Sequence, residues 1–237
     1  MAEVRGSDIH RRSRKPTNNT GMTRDRVVVA AEILSREHGL SGWPLRTLLA
    51  ELDTSASVIY RLVGDREALV AAVVERVLDG VEPAPPGVSW QQWLRTTMTG
   101  FRTAALGCPG TARWLLLKGG TTPPVIEVML TGTGVLEGAG FGAESPRALT
   151  YAVTATMNLV AIGDERRAAE RSEGPVDHAW IAGELQRRGG TALSGLADLS
   201  RSFVDDRGAD DTFGYVLDRV VEGLEVRLAA LRAGAPR

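Results

Sequence analysis

Between residues 23 and 80, apolar side chains recur every three or four positions in four short runs, each bounded by residues that start or stop helices. In the first run Val27, Ala30, Ala31 and Leu34 share one face. This predicts a helix with Thr23 as N-cap and Asp25 in its first turn, running to about His38, with Gly39 as a left-handed stop. "SGWPLRTLLAEL" predicts a second, short helix with Pro44 at its first position, where a missing N–H costs nothing. Leu45, Leu48, Leu49 and Leu52 form its inner stripe. After a tight break at Asp53-Thr54 a third short helix spans Ser55 to Leu62, and Gly64 ends it. Asp65 caps a fourth, "REALVAAVVERVLDG", with Leu69, Val73 and Val77 facing inward.

The Pro- and Gly-rich "VEPAPPGVSW" (81–90) reads as a joint. Beyond it the pattern predicts helices near 90–105, 111–118, 124–138, 145–163, 177–189 and 211–233. "RAAERSEGPVD" and "GGTALSGLADLSRSFVDDRGAD" read as polar loops, the second with room for a helical turn. "TGTGVLEGAGFG" (131–142) invites comparison with a dinucleotide loop, but its spacing is off by one and no strand precedes it. It reads as a glycine-frayed helix end followed by a turn. Leu, Ala, Val, Arg and Glu recur while long β-branched and aromatic runs are scarce, so the expected fold is all-α.

Composition changes this picture only in places. The chain of 237 residues is long enough for a substantial core, and its net charge of −1 is unevenly spread. Up to Arg66 there are 11 Lys/Arg against 8 Asp/Glu, and beyond it 17 against 21, a mildly basic head on an acidic body. The single cysteine, Cys108, excludes an intramolecular disulfide and a multi-cysteine zinc site. Residues 1–21 carry charges without an apolar stretch, which argues against a signal peptide. The longest uncharged run, Ala148 to Gly163, is short and polar for a membrane span, so no membrane association and a cytoplasmic location are expected.

Two short helices joined by a break of a few residues, the second presenting small polar and aromatic side chains, suit a helix-turn-helix. A recognition helix must fit a major groove about 12 Å wide, so its outer face needs short side chains and a few hydrogen-bonding ones. Ser55, Ser57, Tyr60 and Arg61 supply that face, while Val58, Ile59 and Leu62 can pack inward. Arg61 is the candidate for base reading, since its fork matches guanine O6 and N7, although a phosphate contact or a solvated side chain is equally compatible with the residues. A helical hairpin without nucleic-acid function remains the plainer alternative.

The stretch "VVVAAEILSREHGLSGWPLRTLLAELDTSASVIYRLVGDREALVAAVVERVL" resembles the DNA-binding head of the tetracycline-repressor (TetR) family. The matching elements are Ala30, Leu34 and Gly39 in the first helix, the "LRTLLAEL" of the second, Ile59-Tyr60 in the third, and Arg66-Glu67-Ala68-Leu69 opening the fourth. More weakly, "FGYVLDRVVEGLEVRLAAL" (213–231) is similar to the last helix of the family's C-terminal domain, which pairs with its twin in a dimer. The resemblance implies an N-terminal three-helix helix-turn-helix domain joined to a larger helical ligand-binding and dimerisation domain. It implies DNA contacts from Arg46, Thr54, Ser55, Ser57, Tyr60 and Arg66. Two positions depart from the family pattern. Asp53 replaces the usual glycine of the turn, which Asp tolerates because it enters left-handed conformations readily. Leu62 stands where a phosphate-contacting histidine is frequent.

The expected organisation is a basic arm (1–21), a helix-turn-helix domain (22–66) and an effector-binding and dimerisation domain (67–237) with helix 67–79 as connector. Arg11, Arg12, Arg14 and Lys15 make the arm a candidate for phosphate or minor-groove contact, with solubilising disorder as the alternative. In the body, Trp93, Phe101, Trp114, Met129, Met157 and Trp180 fit an apolar effector cavity, though Met and Trp at helical spacing also fill cores. Thr154 and Asn158 lie near Met157 on an uncharged helix, where a ligand or a facing subunit would supply hydrogen-bond partners. The body holds one histidine, His178, so a multi-histidine metal chelate is not supported, and no cofactor is expected.

These readings point to a repressor that binds a double-stranded, palindromic operator as a homodimer and leaves it when a small apolar or aromatic effector binds. A bulky aromatic effector puts control of an efflux gene ahead of pathway control. A helical protein-interaction module is the second function class. An enzyme is the third and is disfavoured, because Cys108 stands beside Pro109 and Gly110 without a nearby histidine, carboxylate pair or phosphate cradle.

Overall fold

The computed structural model describes residues 21–119, 122–174, 206–234 and five positions between 180 and 188. Among these the ordered elements are helical and no strand occurs. They are α1 (Arg24–His38), α2 (Leu45–Glu51), α3 (Ala56–Val63), α4 (Arg66–Asp79), α5 (Trp90–Leu106), α6 (Thr111–Lys118), α7 (Pro123–Ala139), α8 (Ser145–Glu173) and α9 (Asp206–Arg232). A 3-10 turn, Gly142–Glu144, precedes α8. The arm residues Arg11, Arg12, Arg14 and Lys15 lie outside the described residues, as does most of the helix expected at 177–189.

The caps follow the sequence closely. Thr23 Oγ1 accepts from the Arg26 N–H at 3.2 Å, and Asp65 Oδ1 accepts from the Ala68 N–H at 2.8 Å. Pro44 and Ser55 occupy N-cap positions, so α2 and α3 each begin one residue later than the pattern suggested. Gly39 stops α1, but at φ 80° and ψ 159° rather than in the left-handed helical region. That corner of backbone space is open essentially to glycine alone. Asp53 is the one non-glycine residue with positive φ (44°) among the described residues, the strained turn position anticipated from its place between α2 and α3.

The largest difference lies at α8, which continues ten residues beyond the expected end at 163, into the "RAAERSE" part of the expected loop "RAAERSEGPVD". Ala, Glu and Arg are strong helix formers, and the polarity of this stretch marks a solvent-facing helix rather than an irregular one. In the same way α9 begins at Asp206, inside the second stretch read as polar loop.

Leu48, Ile59, Leu69, Val73 and Val27 are fully buried, and they tie α1 to α4 into one cluster. Burying each such side chain contributes about 1.5–3 kcal/mol. The same cluster continues into the body through Met98, Phe101, Cys108, Leu115 and Met157. A second cluster, built on Trp90, Trp93, Leu94, Leu136, Leu149 and Leu224, joins α5, α7, α8 and α9. Within α7 the glycines of the "TGTGVLEGAG" stretch are helical, and Gly132 has a packing reason. A Cβ there would sit 2.5 Å from the Trp93 ring and 2.8 Å from Leu149. Helix α8 lies at the centre of the body, packed by α5, α6, α7 and α9.

Candidate DNA-binding face and effector cavities

Helix α3 has two unlike sides. Ile59 and Val63 are buried against the head core, with Val58 and Leu62 half-buried beside them. Ser55, Ser57, Tyr60 and Arg61 are exposed. Ser55 Oγ and Ser57 Oγ lie 2.9 Å apart, one donating to the other, so two short hydroxyls stand together at the entrance of the helix. The Ser55 side chain does not cap α3, whose Val58 and Ile59 N–H groups donate to the Ser55 carbonyl, so the N–H groups of Ala56 and Ser57 are left open to an anion. Arg46 is exposed on α2 and Thr54 is half-buried in the turn. Leu62 packs against the head core, which accounts for an apolar residue at that position.

Arg66 is placed differently from these. Its guanidinium lies 4.0 Å from the Trp43 ring centroid and donates to the Trp43 carbonyl at 2.9 Å. Trp43 itself is buried, and its Nε1–H donates to Ser35 Oγ at 3.0 Å, whose hydroxyl donates on to the Ala31 carbonyl at 2.7 Å. The α1–α2 loop is therefore anchored to α1 from beneath and clasped by α4 from the side. Arg76, also on α4, reaches Glu32 (2.7 Å) and Asp25 (3.2 Å) of α1. Helices α1 and α4 thus form the frame on which α2 and α3 are held.

The body holds two neighbouring cavities. One, of about 330 Å³, lies between α5, α6, α7 and α8, with Phe101, Leu116, Val125, Met129, Val153 and Thr154 in its wall. The other, of about 300 Å³, lies where the end of α4 and the 81–84 segment meet α5 and α7, with Trp93, Thr97 and Phe101 among its lining. Phe101 and Val128 border both. Of the residues singled out from sequence, Trp93, Phe101, Met129 and Thr154 come together here. Met157 is buried in the core, and Trp114 is half-buried against it. Neither lines either of these two cavities. Asn158 is exposed and donates to the Thr154 carbonyl of its own helix at 2.8 Å, so it needs no ligand as partner. Trp180 is 60% exposed. The aliphatic walls Leu116, Val125 and Val153 went unmarked in the sequence because their spacing is that of any core face.

Head and body meet through the α5–α6 loop. The Leu40 N–H donates to the Pro109 carbonyl at 2.9 Å, and Arg36 donates to the Gly107 carbonyl at 3.1 Å. On the loop's other side the Gly110 N–H donates to Asp164 Oδ2 at 2.8 Å. Asp164 belongs to α8, is buried, and is also paired with Arg167. Burial pushes the Cys108 thiol in this loop above its ordinary range, with Thr111 and Arg36 pulling weakly the other way.

No protein-family model matches the chain. Among curated proteins it is 26% identical over 234 residues to the HTH-type transcriptional repressor DrrR1 of Streptomyces coeruleorubidus, covering 93% of this chain and 82% of that one. It is 28% identical over 216 residues to the class D tetracycline repressor protein of Escherichia coli, covering 89% and 92%. Among solved structures, the Streptomyces coelicolor TetR family protein ActR in complex with actinorhodin superposes with a TM-score of 0.68 at 23% identity, covering 88% of this chain and 99% of that one. The helix-turn-helix head with its Asp53 turn, the helical body with its cavities and the near full-length matches agree: the chain has the fold of the TetR family regulators and is similar over most of its length to TetR-type repressors.

Proposed function

We propose that this chain is a ligand-responsive transcriptional repressor in which residues 22–66 read DNA and the remainder binds an effector and a second copy of the chain. The observation that carries the reading is the course of α4. Its first turn holds the head through Arg66, and its last residues, Leu78 and Asp79, line a body cavity. Fourteen residues of helix extend about 21 Å, so one rigid rod touches both places. A ligand that shifts the end of α4 shifts α3 with it. Tyr60, Ser55, Ser57 and Arg61 then read and hold the operator, with Arg46 and Thr54 at its backbone. The curated relatives carry repressor names, and ActR is solved with actinorhodin bound, which supports a small molecule as the signal.

The dimer has its own support. Tyr151 and Ile162 on α8 are exposed, as are Tyr215 and Val226 on α9. Each pair is eleven residues apart, three turns along one helical stripe. Helices α8 and α9 pack side by side, and Thr154 and Asn158 share the α8 stripe with Tyr151. A second copy would cover both stripes and set two α3 helices about 34–36 Å apart, one DNA turn.

The test is a gel-shift titration with DNA upstream of the protein's own gene, over a range of salt, with and without candidate effectors. Specific retardation reversed by a small molecule supports the reading. No retardation at any salt would favour a protein-interaction module instead.

A further inference from the structure

The two cavities differ in charge. The one between α5, α6, α7 and α8 has no ionisable residue in its lining. The one at the end of α4 has three, Asp79, Glu82 and Glu127, all acidic and all exposed, in a lining that also includes Trp93 and Phe101. Among the described residues none of the three carboxylates has an ion-pair or hydrogen-bond partner. Thr97 lines the same cavity at 5% exposure, its hydroxyl likewise without a hydrogen bond among the described residues. A hydroxyl in a cavity wall, on a residue otherwise buried and engaged by no protein group, is free to meet a partner arriving from the cavity. The C-terminal end of α4, at Asp79, adds the negative end of a helix dipole.

We infer that this cavity at the end of α4 is a binding site for an organic cation, and that the effector is an amphipathic amine. Its apolar part would occupy the neighbouring uncharged cavity across the shared Phe101–Val128 wall, and its ammonium would lie between Glu82, Glu127 and the aromatic rings. Aromatic faces beside carboxylates favour an alkylammonium group through the ring quadrupole and direct charge attraction. A divalent metal fits poorly, because no group of three His, Cys, Asp or Glu side chains among the described residues is close enough to hold one. This assignment rests on the repressor reading only for the word effector, since the binding site itself does not depend on DNA.

The experiment uses the full chain and two probes of matched shape, protonated 4-phenylbutylamine and neutral 4-phenylbutan-1-ol, titrated by calorimetry at pH 7. The amine should bind about tenfold or more tightly than the alcohol. In the Glu82→Gln/Glu127→Gln variant that preference should fall at least about fivefold, and both positions are exposed, so folding is not at risk. Raised salt should weaken the amine and spare the alcohol. Equal binding of the two probes, or an amine preference untouched in the variant, overturns the inference even if operator DNA is bound. Amine preference without any effect on operator binding supports the cation site and overturns the account of induction.

Discussion

The Arg66 guanidinium lies 4.0 Å from the centroid of the Trp43 ring while donating to the Trp43 backbone carbonyl. One side chain of α4 thereby fixes both the face and the main chain of the loop that launches α2. The sequence resemblance implies a phosphate contact for Arg66, and the two roles separate experimentally. A clasp predicts that Arg66→Ala costs about 1–3 kcal/mol of stability in urea unfolding, from a lost charge-assisted hydrogen bond and cation–π contact. Arg66→Lys should recover little of it, since a compact ammonium cannot stack and bond at once. A pure phosphate contact predicts unchanged stability and a salt dependence of operator binding shallower by about one counterion.

Asp53 at φ 44° makes an opposite-signed pair of predictions. Asp53→Ala should destabilise by about 1–2 kcal/mol, because a Cβ without a local hydrogen-bonding tip meets the full left-handed penalty. Asp53→Gly should be neutral or stabilising by a few tenths, since glycine enters that region without cost. Thermal melts of the three proteins check the order Gly at or above Asp, and Asp above Ala. Any other order removes the argument that the turn alone dictates the residue.

These two positions show how far the sequence could be read. Asp53 and the caps Thr23 and Asp65 are local signals, each decided within four residues, so the turn and the helix starts were legible. Arg66 on Trp43 joins residues 23 apart, and nothing in either one's neighbours announces the other. The cavities were legible only in part for the same reason. Trp93 and Phe101 stood out by size, whereas Thr97, Glu82 and Glu127 gain meaning only once α4, α5 and α7 converge on one space. The end of helix α8 was not legible because "RAAERSE" carries no large apolar residue, and polarity alone does not separate a solvated helix from a loop.

Arg61 is exposed on α3 and makes no ion pair or hydrogen bond among the described residues. If it reads a guanine, Arg61→Ala should cost about 1–3 kcal/mol on the specific operator and relax preference at one base pair per half-site. If it meets a phosphate, the loss should be uniform across sequences and the salt slope should fall by about one. Affinity for a set of single-base operator variants distinguishes the two. No loss on any sequence would place Arg61 outside the interface.

Cys108 gives a prediction in pH. Its thiol is fully buried and its pKa is raised by that burial, so the folded state holds the proton more firmly than the unfolded chain does. The sign follows from linkage: the contribution is fully present below the unfolded thiol's pKa, about 8.5, and is lost as pH rises above it, because the unfolded chain ionises first. Stability should therefore fall more steeply from pH 8 to 10 in the native sequence than in Cys108→Ala. An aromatic disulfide reagent at pH 8 should react slowly with the folded protein and at once in denaturant. Rapid reaction of the folded protein would mean that the α5–α6 loop opens readily.

That loop is held from both sides, by the head and by α8. Gly39, at φ 80° and ψ 159°, brings the head against Pro109, and a Cβ at Gly39 would lie 3.3 Å from the Pro109 carbonyl oxygen. The adjacent Leu40 N–H bonds to that same oxygen, while Asp164 holds the loop from α8. Gly39→Ala combines forbidden backbone with contact pressure on this hydrogen bond, and should destabilise by about 1–3 kcal/mol. Asp164→Asn leaves the head's own packing intact and loosens only the loop's hold on α8. It should leave operator affinity in the absence of effector within about twofold, yet shrink the factor by which effector lowers that affinity, if this loop is an element whose equilibrium both sites bias. By reciprocity the same factor must shrink when effector affinity is measured on free and operator-bound protein. An unchanged factor in Asp164→Asn would leave α4 as the sole carrier of the signal.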